Sequence, residues 1–384
     1  MDKLFPTYEV GSMPKLEARV KALAGQEVTE KNIAQVKYFS QAAGIDDAEI
    51  IDVFSRLNSE RRKPNEEERD AIANFNALLN IKLEEKSGLD FVYDGEGRRI
   101  EMYRHMARQI SGFEDIPEMI RSRGPDSYKK SICVAPPKLL STDLLFSEFN
   151  FTVSNANTEV KVPINEPYMM AVMSDNAYYL QKARKKLSGP AASYEAKRNL
   201  TLELARNVVR PQVELLAKHG AKWIQLDAPA ATLDLAHIPI FIEGLNESVA
   251  GIDDVTFSVH LCYPRRVSLT EKSGYELLFP HLESLDRRIS HLSLELANAG
   301  QYERDLAPFK STHFSIGAGV IDITAERAAS QTPEMVAGRL HQVADILGDA
   351  SRVYAAHDCG LRQLSLEEAV RLDNVLVEGA ALAR

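Results

Sequence analysis

Residues 255–262 read Val-Thr-Phe-Ser-Val-His-Leu-Cys, a β-branched run that ends in a histidine and a cysteine two places apart. The run has the length and composition of a buried strand. In an extended chain residues i and i+2 point to one side, so the imidazole of His260 and the thiol of Cys262 can converge on one ion. The same design recurs along the chain. Short apolar runs stand at Tyr8–Gly11, Phe91–Tyr93, Ser131–Val134, Val160–Ile164, Trp223–Leu226, Val255–His260, His291–Leu294, His313–Ile316 and Val353–Ala356. They alternate with longer helical patterns, which is how βαβ units around a parallel sheet read. These nine runs exceed by one the eight strands of a closed barrel. Ala-Pro-Pro follows Ser131–Val134 directly, so that run is assigned to a hairpin. The expected fold class is α/β: a (β/α)8 TIM barrel with an N-terminal helical extension and a hairpin insertion. Residues 1–384 are expected to form a single barrel domain.

In such a barrel, function sits at the C-terminal ends of the strands. The unusual polar residues fall there: Gly11-Ser12, Asp94-Gly-Glu96, Asp227, His260 and Cys262, Glu295, and Asp358-Cys359. Core packing requires neither acids nor cysteines at those places. Between the strands, a long helix is expected from Tyr194 to His219, stopped by Gly220 and kinked or split by Pro211. Ser365-Leu-Glu-Glu368 reads as a capping box for the last helix, with Leu366, Val370, Leu372, Leu376 and Leu382 as its apolar face. The most charged stretch, Ser59 to Asp70, reads as a solvated loop and helix start.

Composition narrows the class further. Of 384 residues, 45% are apolar and 26% charged, which excludes disorder, collagen and coiled coil as descriptions of the whole chain. No apolar run is long enough to span a bilayer, so no membrane association is expected. The first residues, MDKLFPTYEVGSMPK, lack the apolar stretch of a secretory signal. The net charge of −9 argues against nucleic acid as a partner. Three cysteines, Cys133, Cys262 and Cys359, make an odd and low count, which favours a reducing cytoplasm over a disulfide scaffold.

Glu295 ends the run HLSLE and Cys359 ends RVYAAHDC. Together with His260 and Cys262 they offer two sulfurs, one nitrogen and one carboxylate, a set that suits tetrahedral zinc. Spacing alone leaves two alternatives open: a satisfied core histidine with buried apolar cysteines, or a purely structural zinc.

The ordered set Val10-Gly-Ser12, Asp94-Gly-Glu96, Ile224-Gln-Leu-Asp227, His260-Leu-Cys-Tyr263, Glu295, Gly317-Ala-Gly-Val-Ile-Asp322 and Asp358-Cys-Gly-Leu361 resembles the catalytic domain of the cobalamin-independent methionine synthase family. The likeness is greatest to its short single-barrel "core" members and runs from end to end of the chain. It implies a zinc ion held by His260, Cys262, Glu295 and Cys359, with homocysteine as substrate. By that resemblance, zinc held there would favour the ionised form of the substrate thiol, whose pKa is otherwise near 8.5, and the thiolate would take a methyl group to give methionine. The resemblance further implies that Val10, Gly11 and Ser12 cradle the amino acid's carboxylate. It also implies that Glu96 and Asp227 hold its ammonium group and that Asp358 orients the ligands beside it.

Three positions depart from the family pattern. Thr-Gly-Pro is replaced by Asn165-Glu166-Pro167, and Asp-Glu-Pro-Ala by Asp227-Ala-Pro-Ala230. The histidine that folate-using members carry two residues after Asp322 is Thr324. Methyl transfer from methyltetrahydrofolate needs a proton at N5, and threonine is no acid at neutral pH. A methylcorrinoid needs no such acid, because its leaving group is already a stable anion. The expected donor is therefore methylcobalamin or a corrinoid protein rather than methyltetrahydrofolate, unless His313 or His357 substitutes. Arg265 and Arg266, in a lengthened loop after Tyr263, read as solvated residues or as contacts for an anionic substrate or acidic carrier. Arg98, Arg99 and Arg104 are equally ambiguous. Two other readings stay open: a thiol alkyltransferase of the epoxyalkane–coenzyme M type, and a non-catalytic, zinc-stabilised thiol-binding barrel.

Overall fold

A computed structural model describes residues 3–99, 102–121, 127–231, 233–263, 274–278 and 281–384. Eleven strands occur among them: β1 Thr7–Tyr8, β2 Phe91–Val92, β3 Ile110–Arg121, β4 Ser127–Leu139, β5 Glu159–Asn165, β6 Asp175–Asn176, β7 Trp223–Asp227, β8 Thr256–Leu261, β9 Ile289–Glu295, β10 Ser315–Ile321 and β11 Val353–His357. Eight of them close a barrel in the order β1-β11-β10-β9-β8-β7-β5-β2, and β2 pairs back to β1. The neighbouring pairs are parallel, as expected of a (β/α)8 fold. The run Ser131–Val134 lies in β4, which pairs antiparallel with β3 in a separate three-stranded sheet. The ninth run is thus a hairpin insertion.

Two strands differ from their sequence reading for physical reasons. The run expected at His313–Ile316 is a strand over Ser315–Ile321, five residues beyond the expected end. Glycines 317 and 319 disguise it, because glycine weakens a strand in isolation. Here each marks a close approach: a Cβ on Gly317 would lie 1.8 Å from the Tyr8 hydroxyl, and one on Gly319 would lie 2.5 Å from Asp358 Oδ1. At β1 only Thr7–Tyr8 is ladder-paired, so Val10 and Gly11 already belong to the loop above the barrel.

The helical extension sits in the long connection between β1 and β2. It comprises helices Glu17–Ala24, Glu30–Ala43, Ala48–Glu60 and Glu66–Ser87. The charged stretch starts the last of these. Asn65 accepts from the Glu68 N–H at 2.8 Å, Glu68 returns the bond to the Asn65 N–H at 3.0 Å, and Arg62 grips the Glu68 carboxylate with two nitrogens. The helix expected over Tyr194–His219 is split. It runs Gly189–Leu204, widens into a π turn at Ala205–Val209, and resumes at Arg210–Lys218. Pro211 cannot donate to the carbonyl four residues back, and the widening lies just before it.

The last helix, Leu366–Leu382, keeps half its expected cap. Ser365 accepts from the Glu368 N–H, but the Glu368 carboxylate turns to Arg371 at 2.8 Å. Leu366, Leu372 and Leu376 are buried, Val370 is half-buried, and Leu382 is exposed, so the apolar face stops short of the C-terminus. One apolar cluster runs from Phe5 to Ala383. A smaller one, of Tyr8, Val10, Phe91, Trp223 and Ala356, packs inside the barrel beneath the loop that carries Val10. Among the described residues no helix is long and apolar enough to cross a membrane.

Candidate metal centre and amino-acid pocket

Register brings the strand ends together. Asn165, Asp227, His260 and Ser293 are successive partners across β5, β7, β8 and β9. His260 is the penultimate residue of β8 and Cys262 follows that strand. Glu295 closes β9, and Cys359 lies two residues past β11. One ligand atom from each of the four lies within 4.8 Å of the others. His260 Nε2 is 3.8 Å from Cys262 Sγ and 3.6 Å from Cys359 Sγ. A tetrahedral zinc with bonds of about 2.3 Å to sulfur and about 2.0–2.1 Å to nitrogen spaces such a pair by roughly 3.5 Å.

The electrostatics suit a cation. Burial holds the imidazole of His260 down to about 3, so it stays neutral and its nitrogen can serve as a ligand. Its Nδ1 faces Ser293 Oγ at 3.4 Å, leaving Nε2 toward the sulfurs. A hydrogen bond to Cys262, together with burial, holds the Cys359 thiol well above its ordinary pKa. Two thiolates and a carboxylate this close repel one another, and a cation among them is what lets all three ionise.

A cavity of about 440 Å³ opens above these residues, and every residue expected in the site lines it: Val10, Gly11, Ser12, Glu96, Asp227, His260, Cys262, Glu295 and Cys359. Asn298, Asp322, Thr324 and Arg362 join them, and sequence reading assigned none of these four to the pocket. Asp358 touches the cavity but spends its carboxylate on backbone. It accepts from the N–H groups of Leu296, Ala297 and Asn298 at 2.8, 2.9 and 2.7 Å. It therefore ties the loop after Glu295 to the residue beside Cys359.

Around Glu96 and Asp227 the cavity wall collects buried charge. Glu96 sits in the left-handed region, with φ of 54°, directly after Gly95 at 61°. Non-glycine residues reach that region at a cost, and such strain gathers at working sites. Arg99 holds the Glu96 carboxylate at 3.3 Å, bonds Glu148 at 2.9 Å and donates to the Pro163 carbonyl at 2.9 Å. The ambiguity of the three arginines is thereby resolved. Arg99 braces the pocket. Arg98 donates to the Ser147 carbonyl and covers the Phe151 ring, and Arg104 pairs with Asp115. Arg265 and Arg266 lie outside the described residues.

Burial, and then the charge of Glu96, push the Asp227 carboxyl up to about 7. Opposing them is Lys161, a buried lysine on β5 that sequence reading passed over. Its Nζ donates to the Val10 carbonyl at 2.8 Å and to Gln225 Oε1 at 2.9 Å. Gln225 in turn donates to Asp227 Oδ1 and to the Val10 carbonyl, both at 2.7 Å. The Gly11 N–H is taken by the Glu9 carboxylate, so an anion at this loop meets Ser12 rather than that N–H.

Two of the departing residues, Glu166 and Thr324, have a local explanation. Glu166 caps the helix Pro167–Met173, accepting from the Tyr168 and Met169 N–H groups at 2.5 Å. It does not line the cavity. Thr324 turns its hydroxyl onto Asp322 Oδ1 at 2.8 Å. Neither candidate substitute histidine reaches the cavity. His313 precedes β10, at the floor, and bonds the Ile289 carbonyl at 3.2 Å. His357 is fully buried, with Nε2 at 3.5 Å from Asp373 on the last helix.

Comparison with known proteins shows the family of the chain. The family described as "Cobalamin-independent synthase, Catalytic domain" matches residues 54–381. The methionine synthase of Thermococcus kodakarensis is 30% identical over 324 residues, covering 84% of this chain and 86% of that protein. That of Sulfurisphaera tokodaii is 31% identical over 301 residues, covering 78% of this chain and 79% of that protein. A B12-independent methionine synthase from Shewanella sp. W3-18-1, solved in complex with selenomethionine, superposes with a TM-score of 0.72 at 20% identity. The match covers 99% of this chain and 98% of that one. At that identity the likeness speaks for the barrel alone. With the match to residues 54–381 and relatives aligned over most of its length, the chain belongs to the cobalamin-independent methionine synthase family and is a methyltransferase of the type that its catalytic domain defines.

Proposed function

We propose that this enzyme methylates the thiol of homocysteine to give methionine, that its metal is zinc held by His260, Cys262, Glu295 and Cys359, and that its donor is a methylated corrinoid. The observation that carries the reading is one cavity lined both by a sulfur-rich ligand cluster and by the buried acids Glu96 and Asp227. Zinc, when bound, supplies a Lewis acid that keeps a thiol ionised at neutral pH. The rest falls to the chain. Asp227 and Glu96 face the ammonium group, Ser12 meets the carboxylate, and the Lys161–Gln225 pair fixes the Val10 carbonyl beside them. Glu96 and Asp227 also argue against a thiol with a sulfonate tail, which calls for cations in their place. The ligand set and pocket together favour turnover over mere thiol binding.

The donor follows from the proton inventory. Among the described residues, His260 is the only histidine lining the cavity, and it belongs to the ligand cluster. Thr324 is spent on Asp322, and both substitute histidines face elsewhere. Among the described residues no histidine is left to protonate N5 of a folate. Such proton donation is worth typically about 10²–10⁴-fold in rate. Zinc-loaded enzyme assayed with homocysteine and each donor in parallel should transfer from methylcobalamin at least about 100-fold faster than from methyltetrahydrofolate. Folate turnover at an equal rate would overturn the donor assignment while leaving the thiol chemistry intact. The apolar cluster from Phe5 to Ala383 supports reading residues 1–384 as one domain, and the three free cysteines support a reducing cytoplasm.

A further inference from the structure

We propose that Tyr275 is a positioning residue that sets the spacing of the metal ligands, an inference that rests on the zinc reading above. Tyr275 is fully buried, and its hydroxyl makes two bonds. It donates to the Leu261 carbonyl at 2.7 Å and accepts from the Glu295 N–H at 2.8 Å. Leu261 stands between two of the ligands, and Glu295 is a third. The last register pair of β8 and β9 is Leu261 with Leu294. Just past it, the Tyr275 oxygen stands between an N–H and a carbonyl that a continuing ladder would join directly. One oxygen is thus wedged between the strand ends, and it holds them apart where the ligands must surround an ion.

The surroundings fix this wedge. The Tyr275 N–H donates to Asp305 Oδ1 at 3.2 Å, and its ring meets Tyr263 edge-on at 5.4 Å. Gly274 lets the segment seat closely, since a Cβ there would fall 2.4 Å from Asp305 Oδ1 and 2.6 Å from Arg304 Nη2. Asp358 does the matching work on the other flank of β9, binding the three N–H groups after Glu295 next to Cys359. Glu295 is therefore held from both sides: by Tyr275 toward His260 and Cys262, and by Asp358 toward Cys359.

Partners of this kind typically govern metal affinity by about 10–100-fold. Full-length protein carrying Tyr275→Phe keeps the ring and loses the hydroxyl. Chelator competition should show zinc held about 10–100-fold more weakly than in wild type, and the visible bands of the cobalt(II)-substituted protein should shift. Gly274→Ala, which displaces the same segment, should weaken zinc in the same direction and serves if the first variant folds poorly. Tyr103→Phe is the control. That buried hydroxyl also makes two bonds, to Ser174 Oγ and the Ser131 N–H, but it serves the hairpin insertion. Its zinc affinity and cobalt bands should match wild type. Unchanged affinity and bands in Tyr275→Phe would overturn the inference, as would an equal loss in Tyr103→Phe. A wild-type protein that takes up no zinc would overturn the zinc reading itself, a result separable from either.

Discussion

Two buried histidines stand on neighbouring strands at different depths of the barrel. His260 is at the mouth, and His291, on β9, pairs with Ser258 two residues lower on β8. They are equally hidden, at 4% and 2% exposure, and burial pushes both down to about 3. Their neighbours differ. His291 is ringed by Tyr8, Trp223 and Tyr354, and its Nε2 meets the Tyr8 hydroxyl at 3.1 Å. His260 turns Nε2 to two sulfurs. Burial and low basicity therefore do not distinguish a ligand from a core plug. The atoms opposite the free nitrogen do.

The largest effect should come from testing that difference directly. His260→Asn should leave less than stoichiometric zinc and abolish methyl transfer, as measured by metal analysis and turnover. His291→Phe should keep full zinc and activity. It removes the Tyr8 hydroxyl's bond to His291 while Ser293 still meets that hydroxyl, so it should lower unfolding stability by about 0.5–1.5 kcal/mol in a denaturant titration. If both variants lose zinc alike, the contrast between the two histidines is wrong.

The next effect concerns Asp227. Asp227→Asn should raise the KM for homocysteine by an amount worth about 2–5 kcal/mol while zinc stays bound, because one acid facing a buried ammonium is lost. The sign of the pH dependence follows from the raised carboxyl. Asp227 binds the ammonium only when ionised, and in the empty pocket it takes up a proton as pH falls through about 7. KM should therefore rise below that pH in wild type, and that limb should be missing in Asp227→Asn. A wild-type KM in the variant would move the amine subsite elsewhere.

Lys161 should give the smallest and most selective effect. It pulls the Asp227 carboxyl down and adds to the pressure keeping both histidines neutral. Lys161→Met should move the KM limb to higher pH, since Asp227 loses a stabilising cation, and should leave zinc content unchanged. A limb that stays in place would show that Lys161 does not reach the acid.

The strand ends were the legible part of the molecule. Polar residues at the ends of apolar runs located the cavity, and the His-x-Cys spacing located two members of the ligand cluster, because alternation along a strand is a short-range rule. What escaped depends on contacts distant in sequence. β10 hides behind two glycines whose reason is the Tyr8 hydroxyl and Asp358, both remote in sequence. Lys161 is a lone charge in an apolar run, and only the closed barrel shows that it faces Val10 and Gln225. Tyr275 belongs to a loop with no motif, and its meaning is a bridge between two strands that it does not adjoin. The exclusion of His313 and His357 likewise needed their directions, which strand counting cannot supply.

The most direct test of the account is zinc stoichiometry in the Cys262→Ala/Cys359→Ala double variant, beside wild type and Cys133→Ala. Cys133 is buried in the hairpin, with its thiol on the Ala135 carbonyl, and it belongs to no ligand group among the described residues. Wild type and Cys133→Ala should each carry one zinc per chain, and the double variant none, with methyl transfer lost in step. One tightly held zinc per chain in the double variant would contradict the assignment of the metal centre and the thiol chemistry built on it.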